Sequence, residues 1–198
     1  MLTWRNVPGY FDFGDIYDEA VTRAPTEGAR FVEVGVLFGK STLYMGEAIR
    51  ASGKQIAFDA IDRFGWSPAS VVEQFNAMPK DCDGVPGVRD AIAEAGLETL
   101  VRTFLRLAGL ADVVNLATST GQAQAARYPD ASLDFVFLDA DHGYQDTVEL
   151  LRAFLPKMKT GGVLAGHDFG LPGVAQAVDE MLSGAVRRGT SFVCEVER

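Results

Sequence analysis

At 198 residues, with 47% apolar and 23% charged side chains, the chain has the size and make-up of one ordinary globular domain, residues 1–198. A formal net charge of −9 argues against a nucleic-acid or membrane-surface binder, because neither polyanion is attracted to it. Two cysteines, Cys82 and Cys194, are too few for a disulfide framework; no basic-then-apolar leader opens the chain and no apolar run approaches the ~20 residues of a membrane span, so a cytoplasmic protein is expected.

In chain order, Ile16, Ala20 and Val21 stand at helical spacing and predict a helix over 15–24, broken by Pro25 to Gly28. Residues 30–36 read as the first strand and 40–52 as a helix stopped by Gly53. The second strand is expected over 55–61. Residues 64–87 hold Pro68, Pro79 and Pro86 and read as a lid-like insertion with one short helix over 71–78. A helix interrupted near Gly96 follows over 88–108, then a third strand over 112–117 and a short helix over 121–127. The fourth strand is 133–138, a helix covers 144–158, and Gly161-Gly162 turns the chain into a fifth strand. Pro172 opens a helix to about residue 183, and 191–196 closes the chain as a sixth strand. Arg187-Arg188 reads as a solvated helix end. Strands alternating with helices imply a mostly parallel sheet covered on both faces.

Two apolar runs end in acid and imidazole: Phe135 to Leu138 leads into Asp139-Ala140-Asp141-His142, and Val163 to Gly166 leads into His167-Asp168. These are the only two histidines of the chain. Ligands of open α/β sheets bind beyond the carboxyl ends of the strands, so both clusters are expected at one sheet edge. The plainer reading has Asp141 and His142 capping a helix and His167-Asp168 closing a turn.

The first strand runs into Glu33-Val34-Gly35-Val36-Leu37-Phe38-Gly39-Lys40-Ser41. The triphosphate cradle needs four residues between its glycines and this loop has three; the dinucleotide fingerprint needs a glycine where Leu37 stands. An acid two residues before the first glycine, with Asp62 ending the second strand where a ribose would be held, suits an amino acid joined to a nucleoside instead. Glu33 would meet the ammonium, the helix N–H groups and Ser41 the carboxylate. That ligand is S-adenosylmethionine.

Glu33 through Ser41 resembles the first motif of class I S-adenosylmethionine-dependent methyltransferases. Ser132 through Tyr144, Leu155 through Gly162, Gly166-His167-Asp168 and Pro172-Gly173-Val174 are together similar to the bacterial small-molecule O-methyltransferases. That group includes the macrolide-sugar enzymes and is distantly related to the catechol and caffeoyl-CoA enzymes. The resemblance implies a Rossmann-like α/β fold with the last strand antiparallel, and methyl transfer to a hydroxyl of a small molecule. Cofactor contacts would fall on Glu33, Gly35, Gly39, Ser41, Asp62, Thr118, Ser119 and Asp139, with Thr118-Ser119 near the adenine. A divalent cation, magnesium, manganese or another, would be held by Asp139, His167 and Asp168. His142, three residues beyond Asp139, takes the place of the general base. The departure is His167, which stands where the family has a carboxylate and favours a metal softer than magnesium, or no metal at all.

Alternatives carried by the same residues are methyl transfer to nitrogen or carbon, a non-catalytic S-adenosylmethionine-binding protein and, more remotely, a P-loop-like nucleotide hydrolase. A homo-oligomer is compatible with all of them. Tyr144, Trp4, Tyr10, Phe11 and Trp66 are candidates for lining the cavity or for packing, and Asp81-Cys82-Asp83 reads as a solvated turn.

Overall fold

The structure of the protein, a computed structural model, describes residues 1–197. Strands β1 (Glu27–Val34), β2 (Gln55–Asp62), β3 (Val114–Thr118), β4 (Leu133–Leu138), β5 (Met158–Gly166), β6 (Val186–Arg188) and β7 (Ser191–Glu195) form one sheet in the order β3-β2-β1-β4-β5-β7-β6. The pairs among β1 to β5 are parallel, and β7 runs antiparallel to both neighbours. The helices are α1 (Gly14–Arg23), α2 (Lys40–Ser52), α3 (Pro68–Ala77), α4 (Val88–Glu94), α5 (Leu97–Leu107), α6 (Gly121–Ala125), α7 (Tyr144–Phe154) and α8 (Pro172–Met181).

The central strands are buried on both faces, and their alternation sorts two cores. Phe31, Phe135 and Phe137 point into one with α1, α2 and α5; Val32, Val34, Val136 and Leu138 point into the other with α6, α7 and α8. Helix α5 shows why: Leu97, Leu100, Val101, Phe104 and Leu105 recur at helical spacing, and all are buried. Within the proline-rich insertion, Val71 and Phe75 of α3 are buried in the first core, with Phe75 facing Phe38 and Phe104. That segment is anchored through α3.

Three expectations are corrected. The helix after β4 ends at Phe154 because Pro156 takes the chain into a 3-10 turn, and β5 already starts at Met158. Gly161, at φ +76°, lies in the register break between the Leu133–Met158 and Phe135–Val163 pairs. Arg187-Arg188 does not end a helix: both lie in β6, a seventh strand, and Arg188 reaches Asp15 and Glu19 of α1 at 2.7 and 2.5 Å. The parallel order places the carboxyl ends of β1, β2, β4 and β5 along one edge, where a cavity opens.

Candidate functional site

The cavity is about 930 Å³, near the upper end of the ~300–1,000 Å³ usual for small-molecule sites. Its floor is the turn from β1 into α2. Gly35 is held there by close approach: its φ is +97°, and a Cβ on it would sit 1.7 Å from the Asp139 carbonyl oxygen. The tight fit follows from pairing, since Asp139 N–H donates to Val34 O at 2.7 Å and Gly35 N–H to Ile61 O at 2.9 Å. Gly39, at φ +84°, then turns the chain into the first residues of α2.

Asp62 locks this turn from the end of β2. Its Oδ2 accepts from Val36 and Leu37 N–H at 2.8 and 3.0 Å, and its Oδ1 from Phe64 N–H at 2.8 Å. A carboxylate has about four acceptor positions, so capacity is left for a ligand hydroxyl. Leu37 (φ +49°), Phe64 (φ +51°) and Asp168 (φ +56°) are three of the four non-glycine residues with positive φ among those described. Leu37 and Asp168 line the cavity and Phe64 follows its wall, so backbone strain is concentrated here.

Glu33 does not line the cavity. It is 1% exposed, and its carboxylate accepts from the Tyr17 hydroxyl at 2.9 Å, Ser41 Oγ at 2.5 Å and Thr42 Oγ1 at 2.5 Å. Burial pushes its pKa up to about 7, against the lowering effect of those three hydroxyls. The expected ammonium partner is thus already satisfied by protein donors, and the Ser41 hydroxyl, which lines the cavity, donates to it. Thr118 is exposed outside the cavity, whereas Ser119, Thr120, Gly121 and Gln122 form the wall beyond β3. Lys40 lines the cavity, but its Nζ donates to Val7 O at 2.9 Å, away from a phosphate-cradling arrangement.

At the opposite end, Asp139 after β4 and His167-Asp168 after β5 meet His142. His142 Nε2 is 2.9 Å from Asp168 Oδ2 and 3.9 Å from Asp139 Oδ1. Hydrogen bonding toward Asp139 and the charges of Asp168, Asp139 and Asp141 hold its pKa above the ordinary value, against partial burial; by distance Asp168 is the firmer partner. His167 Nδ1 is 3.4 Å from Asp168 Oδ1 and 3.7 Å from Asp139 Oδ1. One ligand atom from each of Asp139, His142 and Asp168 lies within 4.8 Å of the others. His167, expected with the two carboxylates, is outside that group and approaches them through Nδ1 alone. Oxygen and imidazole donors together suit manganese, iron or zinc better than magnesium. Helix α7 is capped by Gly143 without a side-chain bond, so neither Asp141 nor His142 caps it. Asp168 does close a turn, but through its backbone carbonyl to Leu171 N–H at 2.8 Å.

Tyr10 and Trp66 line the cavity and are 79% and 42% exposed, which places two open aromatic faces at its mouth. Trp4 and Phe11 instead pack with Tyr44, and the Tyr144 hydroxyl donates to Glu180 at 2.5 Å. Sequence reasoning missed Arg63, which bridges from the end of β2 to Asp141 at 3.1 Å, over the β1 turn. It also missed Asp12, which meets His167 Nε2 at 3.2 Å. Neither sits in a local pattern; both contacts arise from strand order and from the return of the N-terminal segment.

Solved structures share this fold across nearly the whole chain. The O-methyltransferase NovP superposes with a TM-score of 0.64 at 16% identity, over 93% of this chain and 79% of that one. Cofactor-bound Rv0187 from MTB gives 0.61 at 15%, over 98% and 85%. A Clostridium thermocellum protein named as an rRNA-methylase gives 0.59 at 12%, over 95% and 99%. No curated protein sequence matches the chain. A family model described as "Methyltransferase domain" matches residues 32–169, from β1 to just beyond Asp168. That span holds the glycine turn, Asp62 and the whole acid and imidazole cluster, and with the strand order it makes the chain a member of the methyltransferase-domain family, class I and S-adenosylmethionine-dependent.

Proposed function

We propose that the chain moves the methyl group of S-adenosylmethionine to a hydroxyl of a small molecule, with a divalent cation assisting and His142 as general base. The observation that carries this reading is the convergence of Asp139, His142, His167 and Asp168 beside the glycine turn, on the wall of the same cavity. The cofactor would lie along Gly35, Gly39, Asp62 and Ser119. The Gly35–Asp139 approach keeps that turn close to the end of β4, and Asp62 keeps its N–H groups in place.

Asp139, Asp168 and His167 would hold the cation, with His142 beside it as the base. A divalent ion supplies Lewis acidity that lowers the pKa of an acceptor hydroxyl. His142, half exposed to the cavity, takes the hydroxyl proton on its free ring nitrogen as the oxygen forms its bond to the methyl carbon and the sulfonium bond breaks. Tyr10 and Trp66 offer apolar faces to the rest of the acceptor. NovP, an O-methyltransferase of the same fold, supports the oxygen assignment; the rRNA-methylase neighbour keeps the fold from deciding it.

The test uses methyl-labelled S-adenosylmethionine with a panel of small phenols, sugars and amines. Label should appear on oxygen, the rate should fall with a chelator, and manganese or magnesium should restore it. Label on nitrogen or carbon alone selects the alternative acceptor class, and an undiminished rate in fully chelated protein removes the cation. S-adenosylhomocysteine should raise the melting temperature and ATP should not.

A further inference from the structure

The N-terminal segment reaches the acid and imidazole cluster from behind. Asp12 lies just before α1, and both its carboxylate oxygens accept from the Thr190 hydroxyl at 3.0 Å. Thr190 stands in the turn between β6 and β7, so the carboxylate is tied at the far end of the fold. From there Oδ1 lies 3.2 Å from His167 Nε2. Phe13, the next residue, packs tilted against the His167 ring with centroids 5.1 Å apart and stacks on Phe137. The ring is 16% exposed, its backbone N–H donates to Leu138 O, and its plane is fixed between these neighbours. Nδ1 faces the other way, toward Asp168 and Asp139 at 3.4 and 3.7 Å, longer than a good hydrogen bond.

We propose that Asp12 is a positioning residue that holds the ring proton of His167 on Nε2, so that Nδ1 turns its lone pair into the cation site between Asp139 and Asp168. A neutral imidazole carries one N–H, and a carboxylate acceptor fixes which nitrogen bears it. With Asp12 holding that proton, the Nδ1 lone pair faces the Oδ1 atoms of Asp168 and Asp139 with no hydrogen of its own to offer them, while His142 Nε2 sits on the other oxygen of Asp168. Such an arrangement is relieved by a cation. The inference rests on the cation-assisted reading above, and it assigns His167 a partner that makes it a ligand.

The test reads the ring and the cation separately, on the full chain. Nitrogen–proton correlation spectra of the metal-free protein, at a pH where the rings are neutral, show two histidines, and His142→Gln identifies His167. The wild type should show the Nε2-protonated tautomer, and Asp12→Ala a mixture. Calorimetry with manganese ion should find binding about 10–100-fold weaker in Asp12→Ala. Asp12→Asn should lose less, because its amide oxygen still accepts from Nε2. In a His167→Ala background, Asp12→Ala should cost nothing further. An Nδ1-protonated wild type, or an equal Asp12→Ala effect with and without His167, overturns the proposal. Wild type that binds no manganese overturns the cation-assisted reading instead, and the spectra still decide whether Asp12 holds the proton.

Discussion

At the glycine-turn end of the cavity, the parts that hold shape are backbone: Gly35 against the Asp139 carbonyl, and the N–H groups of Val36, Leu37 and Phe64 on Asp62. At the β4–β5 end they are side chains, Asp139, His142, His167 and Asp168, which are partly exposed and almost all acceptors. The first end is satisfied by the fold itself, whereas the second leaves carboxylates and imidazoles facing one another on the cavity wall. Damage at the first should therefore cost stability or cofactor affinity. Damage at the second should cost chemistry with little change in melting.

The sharpest way to break that contrast is Gly35→Ala. The atoms a Cβ would meet at 1.7 and 2.5 Å are backbone, and φ +97° is strained for any L side chain, so no side chain can swing aside. Loss of about 4 kcal/mol or more is expected, read as a collapsed or absent cooperative melt. A variant that melts like wild type would show that β4 can retreat from the turn.

Next in size is His142→Ala, which should lower turnover by about 10²–10⁴ while melting and S-adenosylhomocysteine affinity change little. Its raised pKa sets the sign of the pH dependence: the neutral, proton-accepting ring is lost as pH falls, from a point above the ordinary histidine value of 6.5. Proton resonance titration of the metal-free protein should find that elevation, and Asp139→Asn or Asp168→Asn should each reduce it. A melting loss matching the rate loss would instead make His142 structural.

Glu33 tests the other end through stability. Its folded pKa of about 7 lies above the ordinary 4.5, so the folded state binds the proton more tightly than the unfolded chain. The stability this proton gives is complete below pH 4.5, is lost as pH rises toward 7, and is gone above it. At 1.36 kcal/mol per pH unit the swing is about 3 kcal/mol. Glu33→Gln should flatten that part of the stability–pH curve relative to wild type, measured by denaturant unfolding. Unchanged slopes would mean that the three hydroxyls hold the carboxylate ionised.

The same contrast explains what could be read in the sequence. The glycine turn and Asp62 were legible because local chain geometry fixes their spacing. The strands β1, β2, β4 and β7 were legible because burial on one or both faces writes a pattern into consecutive residues. Strand β6 was not: three residues, Val186-Arg187-Arg188, with an exposed valine and two arginines, carry no apolar alternation, and their pairing with β7 is the only cause of the strand. Glu33 was legible as an acid at a strand end, but not as a buried one, because Tyr17 comes from a helix before the strand. Asp12 was invisible for the same reason on a larger scale, since its partners His167 and Thr190 are brought to it only when β5, β6 and β7 assemble into the sheet.

The finest test compares two neighbours, Asp62 and Arg63, at the tip of β2. Asp62 accepts from two backbone N–H groups of the glycine turn, Val36 and Leu37, and from Phe64 N–H just beyond β2; removing it leaves those donors without their acceptor and takes away the spare carboxylate position proposed for a ribose hydroxyl. Asp62→Ala should weaken S-adenosylhomocysteine binding by about 1–3 kcal/mol in calorimetry. Arg63 makes a single ion pair with Asp141, and both side chains are more than half exposed, at 63% and 52%. Water screens such a pair and two long side chains must be ordered to make it, so Arg63→Ala should change stability by less than about 1 kcal/mol. The pair nevertheless spans the cavity, from the end of β2 to the segment after β4. A ligand seated between those strand ends has to lie beneath it or part it. If it parts, Arg63→Ala should speed association without a matching change in dissociation, measured by stopped-flow fluorescence of Trp66 at the cavity mouth. Equal effects on both rates, or none, would make the bridge a surface pair with no part in access.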